Sequence, residues 1–536
     1  MKRKKILTSI LATSLALTTL FATACGGKNS SSVYDPKLDQ APDYSTYTNQ
    51  FNFYGYSNPS DGKWTIDGEQ FSAGEDFRTV ERYAEYKDAG MTIFFPQTSA
   101  RIEYSKMNSD EVALNSWNDV KQYYDMAQEA GLTKAIFDDT RLRHLSTQDQ
   151  TLIGEGKTLS GSGEKYGFAT QEELDAYVAK CLSLYIDHPI FYGVYLQDEP
   201  KYPKAVAYGE TYQSIKRVAE SVFNREIFVQ YNLLPLVTNS EQVNQFYPAV
   251  DGYDCTDEAC TEQEAIARYT AYINLFLDST GADHVCYDHY PLCVDGIRSQ
   301  YIVGLQIVAD ICVARDIEFH FVAQTYSQDA DGVLTVRVIS EEDARWLNNM
   351  LLGFGVKNIG YFTYWTKSDN WTAKGEFFHP EGSFITRYGE KTDVYYIMQK
   401  IMAENQKFAP TILNFDYQGS AVYKLLPSYS NSKHIALAYD TYQFKKVTKV
   451  ETNKEYGLVT ELYDKANNRY MYMVQNLVDP LVLGYRVFQT VNVTFASEYT
   501  HVAIYKNGER IATQALVNGV YTAKLAPGEA VFLLPY

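Results

Sequence analysis

The chain has 536 residues, 45% of them hydrophobic and 21% charged, so it can bury a large core, should hold more than one domain and is not an intrinsically disordered protein. Its formal net charge of −18 argues against nucleic acid and anionic lipid as binding partners, because both would be repelled. The 46 tyrosines exceed what a core needs and suit a surface that stacks flat ligands, although half-buried strand positions account for most of them.

The first 25 residues have the pattern of an export signal. Residues 2–5 are basic, residues 6–21 are apolar, and three small residues at 22–24 lead to Cys25. This arrangement resembles a bacterial lipoprotein signal with its lipobox. The resemblance implies cleavage after residue 24, a diacylglycerol on the Cys25 thiol, and an extracytoplasmic protein held at the membrane by that lipid alone. A simple secretory signal, in which Cys25 is incidental, is the alternative. No later segment reaches the roughly 18 apolar residues of a membrane span.

Residues 25–50 are rich in Gly, Ser, Asn and Pro and have neither helical nor strand periodicity. This composition predicts a flexible tether between a lipid anchor and a folded domain. Folding is expected to begin near Phe51.

From Phe51 onward, one supersecondary pattern repeats. An amphipathic helical segment ends at a single glycine and is followed at once by an apolar strand, as at Gly90, Gly131, Gly281 and Gly355. A glycine at this position can adopt the left-handed conformation that ends a helix. The helix-to-strand connections are therefore predicted to be short.

The connections in the opposite direction, from strand to helix, are long. This asymmetry is typical of a (β/α)8 TIM barrel, in which the strand-to-helix loops carry the functional site. We therefore predict an α/β fold with one barrel over residues 51–407. A doubly wound open sheet is the alternative, but no GxGxxG sequence follows the first strand. The eight predicted strands are residues 51–56, 91–96, 132–139, 191–198, 226–231, 284–290, 318–325 and 358–365.

The remainder of the chain, residues 408–536, loses the helical period and alternates apolar and polar residues. This pattern predicts an antiparallel β-sandwich that follows the barrel, with Asn507 and Gly508 in a hairpin turn. The predicted sandwich is expected to be an accessory domain, for packing or for sugar binding.

Six cysteines follow Cys25, and an exported chain could pair some of them. Cys255 and Cys260 would close a short loop. No two cysteines have the two-residue spacing of a zinc knuckle, and the eight histidines are scattered. We predict neither a metal site nor a cofactor.

Because barrel sites are built at the C-terminal ends of strands, the last residues of each predicted strand are the candidates for function. The fourth strand is an apolar and aromatic run that ends in two carboxylates, Asp198 and Glu199. Two carboxylates that face each other across a pocket are what glycosidic bond cleavage requires, one protonated as a general acid and the other ionised. The other candidates at or near strand ends are Asp139, Asn232, Asp288, His289, Tyr290, Gln324, Tyr326 and Trp365.

The sequence LQDEP at the end of the fourth strand resembles the Asn-Glu-Pro ending of that strand in the TIM-barrel glycoside hydrolase superfamily. Tyr364 and Trp365, which close the eighth strand, are also similar to that superfamily. The resemblance implies that Glu199 is the acid/base and that Trp365 forms the floor of a sugar pocket. The C-terminal sequence LAPGEAVFLLPY resembles the last strands of accessory β-domains on such enzymes.

Two positions depart from the superfamily pattern. Asp198 replaces the Asn, which places two acids side by side and would raise the pKa of one of them if both were buried. Gln324 ends the seventh strand, where the superfamily has its nucleophilic Glu, and an amide cannot act as a carboxylate nucleophile. The partner of Glu199 must therefore come from elsewhere. We predict Asp288, with Asp139 or Asp198 as the second choice.

The sequence thus predicts a glycoside hydrolase that cleaves an extracellular oligo- or polysaccharide, with retention or inversion decided by the separation of its two carboxyls. The alternative is a non-catalytic carbohydrate-binding surface lipoprotein on the same scaffold, in which Gln324 marks lost chemistry. The residues predicted to bind the carbohydrate are Asp198, Asp139, Asn232, His289, Tyr290, Gln324, Tyr326 and Trp365.

Overall fold

The computed structural model of the protein describes residues 35–536, apart from residues 67–68, 97–98, 104–109, 299, 331–332, 367–375, 379–381, 424–441, 454–456 and 484–487. The predicted signal peptide, Cys25 and residues 26–34 lie outside the described residues. None of the helices in the described part of the chain is long and apolar enough to cross a bilayer.

The described residues form strands β1 to β24, helices α1 to α11 and three short 3₁₀ helices, the first of which begins at Pro36, before the predicted start of folding near Phe51. The strands are β1 (Asn52–Gly55), β2 (Lys63–Ile66), β3 (Glu69–Ser72), β4 (Arg101–Ile102), β5 (Ala135–Asp139), β6 (Phe191–Asp198), β7 (Phe228–Asn232), β8 (His284–Asp288), β9 (Leu292–Cys293), β10 (Gly296–Ile297), β11 (Glu318–Gln324), β12 (Gln328–Ala330), β13 (Val333–Val336), β14 (Val356–Phe362), β15 (Glu376–Phe378), β16 (Asp416–Tyr423), β17 (Val447–Thr452), β18 (Gly457–Asp464), β19 (Arg469–Asn476), β20 (Gln489–Phe495), β21 (His501–Lys506), β22 (Glu509–Ala515), β23 (Val520–Leu525) and β24 (Ala530–Pro535). The α-helices are α1 (Val80–Asp88), α2 (Asp110–Glu129), α3 (Thr140–Ser146), α4 (Gln171–Leu182), α5 (Ala205–Ser221), α6 (Ser240–Phe246), α7 (Glu262–Thr280), α8 (Gln300–Arg315), α9 (Glu341–Gly353), α10 (Asp393–Ile412) and α11 (Pro480–Leu483). Short 3₁₀ helices cover Pro36–Gln40, Gly163–Lys165 and Tyr202–Lys204.

The described end of the predicted tether, residues 35–50, packs against the protein, which corrects the expectation of a free linker. The hydroxyl of buried Tyr44 donates to Asp464 Oδ2 over 2.7 Å, and its ring lies 5.5 Å from that of Phe415. The sequence pattern missed this contact because a single aromatic residue can anchor a segment that has no periodicity of its own.

Two four-stranded parallel sheets form the first part of the fold, with strand orders β4-β5-β6-β7 and β1-β14-β11-β8. Leu233, directly after β7, makes a parallel bridge to Tyr287 in β8 and so joins the two sheets on one side. On the other side, the Phe53 carbonyl of β1 accepts bonds from Thr92 and Ile93. Parallel strands require helical crossovers, and the alternation of strand and helix that was predicted is present.

The predicted strand at residues 91–96 is the exception, because only Phe94 makes a ladder contact, a parallel bridge to Ala135. Side chains provide the hydrogen bonds for the carbonyl groups of the residues on either side of Phe94. The Tyr86 hydroxyl donates to the Ile93 carbonyl over 2.9 Å, and the Asn58 amide donates to the Phe95 carbonyl. A buried backbone group needs one partner, and here a side chain replaces the adjacent strand.

The helix ends follow the sequence signals closely. All four predicted glycines have left-handed φ values, +108° at Gly90, +86° at Gly131, +63° at Gly281 and +78° at Gly355, and each lies just after a helix. These values confirm the helix ends, and the connections that follow are short, since α7 ends at Thr280 before β8 begins at His284 and α9 ends at Gly353 before β14 begins at Val356. Cys255 and Cys260 form a disulfide, as their spacing suggested.

The C-terminal part consists of two antiparallel sheets, ordered β16-β18-β19-β24-β21-β22 and β17-β20-β23. One apolar cluster draws on both of them, with Val493 of the smaller sheet and Leu533 of the larger among its members. The predicted hairpin turn is confirmed: Asn507 and Gly508 connect β21 to β22, and both have positive φ.

A buried ion-pair cluster connects the two parts of the chain. Arg337, which follows β13, contacts Asp343 at the start of α9 and lies 2.9 Å from Asp479, which precedes α11. All three side chains are at most 4% exposed. Taking charges out of water is costly, so a cluster of this kind depends on every member being present.

Replacement of Asp479 by Ala is expected to lower the free energy of unfolding by about 3 kcal/mol, because it leaves Arg337 buried with half of its compensation. Urea denaturation measures this change. Glu509→Ala is the matched control, since it breaks the exposed pair with Lys407 that also connects the two parts, and little loss is expected. Equal destabilisation by both variants would contradict the argument from burial.

Candidate active site

The acidic end of β6 departs from regular strand geometry. The pairing of β6 with β7 shifts register between Tyr195 and Asp198, and the Glu199 amide then donates to the Asn232 carbonyl over 2.8 Å. Glu199 has a φ of +45°, although it is not glycine and precedes Pro200. A residue before proline is normally extended, so this conformation costs of the order of 1–3 kcal/mol and persists only where the surroundings impose it.

Asp288, the last residue of β8, is the carboxylate that the structure brings to Glu199. Asp288 is 4% exposed, and its Oδ1 atom makes no hydrogen bond within the described part of the chain. Burial raises the pKa of Glu199 well above its usual range, as do the charges of Asp288 and Asp198 and a hydrogen bond to Asp288. The two carboxyl groups therefore lie close enough for the charge of one to act on the pKa of the other.

The Glu199 side chain is accessible to solvent and is also closely surrounded by protein atoms. Solvent reaches its side chain, yet protein atoms surround it closely enough for burial to be the largest influence on its pKa. Both properties suit a carboxyl inside an open concavity. The upward direction of the pKa shift does not depend on the degree of burial, because two like charges act in the same direction.

The neighbours of Asp288 act on its pKa in both directions. Burial and the charge of Asp198 raise the pKa to about 7, although hydrogen bonding by Tyr290 and Asn232 lowers it in part. The Tyr290 ring is fixed in turn, stacked on Phe362 at a centroid distance of 5.3 Å. Among the described residues, no donor lowers the pKa of Glu199 in this way, so Glu199 holds the proton of the pair more strongly.

Asp198 and Asn232 complete the acidic group. The Asn232 side-chain amide donates to Asp198 Oδ1 over 3.1 Å, and Asn232 is itself buried. Within the described residues, neither Glu199 nor Asp288 forms a salt bridge. The ends of β6, β7 and β8 thus assemble three carboxylates and one amide, as predicted from their positions at strand ends.

Asp139 is placed elsewhere, which corrects its prediction as a substrate contact or second-choice partner. Its buried carboxylate is bound by Arg141, with one Nη2 contact of 2.6 Å, and accepts a bond from the Tyr185 hydroxyl at 3.1 Å. It also accepts the Arg141 amide and so caps α3. These bonds occupy the carboxylate with structural partners.

Gln324 also has a structural role, which corrects its prediction as a carbohydrate contact. Its Oε1 accepts a bond from the Leu292 amide at 2.9 Å, and its Nε2 donates to the Leu292 carbonyl at 3.1 Å. Both polar atoms of the buried amide are thus used to attach β11 to the short β9 strand that follows β8. An ionised Glu could not make the second of these bonds, since it has no hydrogen to donate.

The remaining predicted residues, His289, Tyr326 and Trp365, are all buried. Burial lowers the pKa of His289 to about 3, and its ring meets Tyr301 edge-on at 5.5 Å. Tyr326 is buried and lies 5.0 Å from Tyr290 between ring centroids. Trp365 is only 3% exposed and packs on Phe77, so it presents little ring surface to a ligand and is not the open floor that the resemblance implied.

Two tyrosines were missed from the sequence. Tyr56 and Tyr195 are fully buried, their hydroxyl groups have no hydrogen-bond partner within the described residues, and both sense the charge of Asp198. The sequence contained one signal for Tyr195. Side chains alternate between the two faces of a strand, which places Tyr195 on the same face as Gln197, close to the acidic end of β6. A buried hydroxyl without a partner is suited to contact a ligand.

The structure offers one compact group of potential metal ligands among the described residues, Cys255, Cys260 and Glu264. The disulfide uses both sulfur atoms, so this group does not provide the thiolates that a metal ion would require.

Comparison with known proteins gave structural likeness alone. No protein-family model and no curated protein matches the chain. Solved structures that resemble it include a GH27 β-L-arabinopyranosidase variant from Geobacillus stearothermophilus with a TM-score of 0.43, 9% identity and coverage of 92% of this chain and 98% of that one. An Anoxybacillus α-amylase has a TM-score of 0.40 and 10% identity, with 92% and 98% covered. A GH30 endoxylanase from Clostridium papyrosolvens has a TM-score of 0.37 and 11% identity, with 91% and 98% covered. All three are glycoside hydrolases, but the low TM-scores leave the case for a function to the site itself.

Replacement of Gln324 by Glu tests its structural role. This substitution supplies the acid that the superfamily pattern would have there, but it removes the donor to the Leu292 carbonyl and buries a charge. We expect the free energy of unfolding to fall by about 1–3 kcal/mol, measured by urea denaturation. Gln514→Glu on β22 is the matched control, because Gln514 is exposed, and it should leave stability unchanged. Full stability of Gln324→Glu would contradict the role assigned to this amide.

Proposed function

We propose that the protein is a glycoside hydrolase in which Glu199 is the general acid and Asp288 is its ionised partner. The observation that carries the proposal is that β6 and β8 bring these two carboxyls into one site, where the charge of Asp288 raises the pKa of Glu199. Pairs of carboxyls whose surroundings separate their pKa values are the usual arrangement for acid and base roles.

The chemistry follows from which carboxyl holds the proton. Glu199, whose pKa is raised by burial and by two negative neighbours, remains protonated and can donate to the oxygen of the leaving sugar. Asp288, supported by Tyr290 and Asn232, is the group that ionises first. It can then act on the anomeric carbon that becomes electron-poor as the glycosidic bond breaks.

The close approach of the two carboxyls favours retention of configuration. Inverting enzymes need a separation of about 6.5–9.5 Å to admit a water between the carboxyl and the sugar, whereas retaining enzymes have about 5–5.5 Å. The charge of Asp288 is the largest influence on the pKa of Glu199 after burial, which supports the shorter separation. Asp288 would form a bond to the anomeric carbon as the leaving group takes the Glu199 proton. A water molecule would then release the sugar and return a proton to Glu199.

The same proposal extends to the architecture. We infer that residues 51–407 close into a (β/α)8 barrel, supported by the bridges at Phe94 and Leu233 between the two parallel sheets. We infer that residues 408–536 form a β-sandwich accessory domain, supported by the apolar cluster shared by their two antiparallel sheets.

Replacement of Glu199 by Gln tests the catalytic assignment. The amide keeps the shape but cannot donate a proton, so kcat on polysaccharides, whose sugar leaving group requires that proton, should fall by about 10²–10⁴-fold. Glu220→Gln on the exposed side of α5 is the matched control and should retain activity. Undiminished hydrolysis by Glu199→Gln would overturn the assignment. A wild-type protein that binds but never cleaves any glycan would favour the non-catalytic binding lipoprotein instead.

We further propose that the mature protein is anchored outside the cytoplasm by a lipid on Cys25. Replacement of Cys25 by Ser should abolish incorporation of labelled palmitate and move the protein from the membrane fraction to the soluble fraction. The control is Cys181→Ser, which removes a buried thiol and leaves labelling intact. Unchanged fractionation of Cys25→Ser would contradict the anchor.

A further inference from the structure

A short hairpin in the connection between β1 and α1 carries an aromatic pair. Its strands, β2 and β3, are antiparallel, and Trp64 lies directly opposite Phe71. The two rings are nearly parallel, with an interplanar angle of 11° and a centroid distance of 6.3 Å. Cross-strand aromatic pairs of this kind stabilise a hairpin, yet here one member remains open to solvent: Phe71 is 41% exposed, whereas Trp64 is 7% exposed.

A third aromatic ring adjoins this pair from another part of the chain. Tyr388, in the connection between β14 and α10, meets Trp64 edge-on at 5.4 Å and is 56% exposed. Trp64 is thus enclosed between two exposed rings. We name this group of Trp64, Phe71 and Tyr388 the aromatic platform.

The aromatic platform lies on the same side of the molecule as the acidic group. It is carried by the segments that follow β1 and β14, while Glu199 and Asp288 follow or end β6 and β8. All four strands belong to the parallel sheets, so their C-terminal ends open on one face. Phe77 joins the platform to the strand ends, since its ring lies 4.9 Å from that of Trp365 and it abuts Gly389, the neighbour of Tyr388.

We propose that the aromatic platform is a second carbohydrate subsite, which binds pyranose rings of a polysaccharide beyond the sugars held at Glu199 and Asp288. This inference rests on the proposed function. Flat apolar rings bordered by polar surface match the apolar face of a pyranose, and a neutral sugar chain is compatible with a protein of net charge −18. The positions after β1 and β14 lie across the face from the end of β6, so the occupant is an extended chain and not a single sugar.

The test compares binding of long chains with turnover of short substrates. The probes are xylan, mixed-linkage β-glucan and soluble starch in affinity gels, run with protein carrying Glu199→Gln so that the polymer is not consumed. We expect retardation by one or more of these polymers. The added changes Phe71→Ala and Tyr388→Ala should raise the dissociation constant about tenfold, as is common when a dominant contact residue is truncated. Both side chains are exposed, and Phe488→Ala, which removes a ring 47% exposed in the C-terminal part, is the matched control.

Each outcome bears on the platform separately from the catalytic proposal. With Glu199 intact, the double variant Phe71→Ala/Tyr388→Ala should hydrolyse nitrophenyl glycosides at the wild-type rate, because these substrates do not reach the platform. Retardation that is unchanged in the double variant, or absent for all three polymers, overturns the platform even if glycosides are cleaved. A tenfold loss of polymer binding without any cleavage by the wild type supports the platform and overturns the catalytic proposal.

Discussion

The parallel pairing of the strands in the two sheets is the constraint on which the candidate site depends. Parallel strands bring their C-terminal ends to one face, so residues separated by up to about ninety positions, such as Glu199 and Asp288, meet without any long-range sequence signal. Without this pairing, the buried aspartate at the end of β8 would be an isolated charge in an apolar environment. An isolated buried carboxylate of this kind would become protonated or would pair with a cation.

Like charges at short distance give the site its chemical character. Carboxylates that lie close together repel one another when all are ionised, so the charges of Asp198 and Asp288 raise the pKa of Glu199. The packing of β6 and β7 holds the carboxylates together despite their repulsion, and the same packing holds the strained backbone at Glu199. The free energy that stabilises the strands therefore supports a local arrangement that is unfavourable by itself.

The sequence predicted those features that are determined locally. The four helix-ending glycines, the hairpin turn at Asn507 and the bounds of β6 follow from conformational preference and from apolar patterning over a few residues. The roles of Asp139 and Gln324 could not be predicted in the same way. Each is a polar residue at a strand end, and its role depends on which group happens to be near it in space, Arg141 in one case and the Leu292 backbone in the other.

The absence of regular strand at residues 91–96 has a similar explanation. An apolar run predicts a buried strand whether its backbone pairs with a strand or with side chains such as Tyr86 and Asn58. Trp365 lies beyond the end of β14 at Phe362, whereas the predicted eighth strand included it, and its cover by Phe77 depends on a residue almost three hundred positions away. The sequence predicts the region of the fold in which these residues lie, whereas their hydrogen-bond partners and their exposure depend on tertiary packing.

The buried cluster of Arg337, Asp343 and Asp479 has a consequence for the way this chain can be divided. A cut near residue 408 would separate Arg337 from Asp479 and would uncover Trp346, whose indole nitrogen donates to the Leu477 carbonyl. The C-terminal sheets therefore cover charged and apolar groups of the first part of the chain that would otherwise be exposed to solvent. Transfer of residues 51–407 to another protein would have to include this surface, or replace its charges and apolar contacts together.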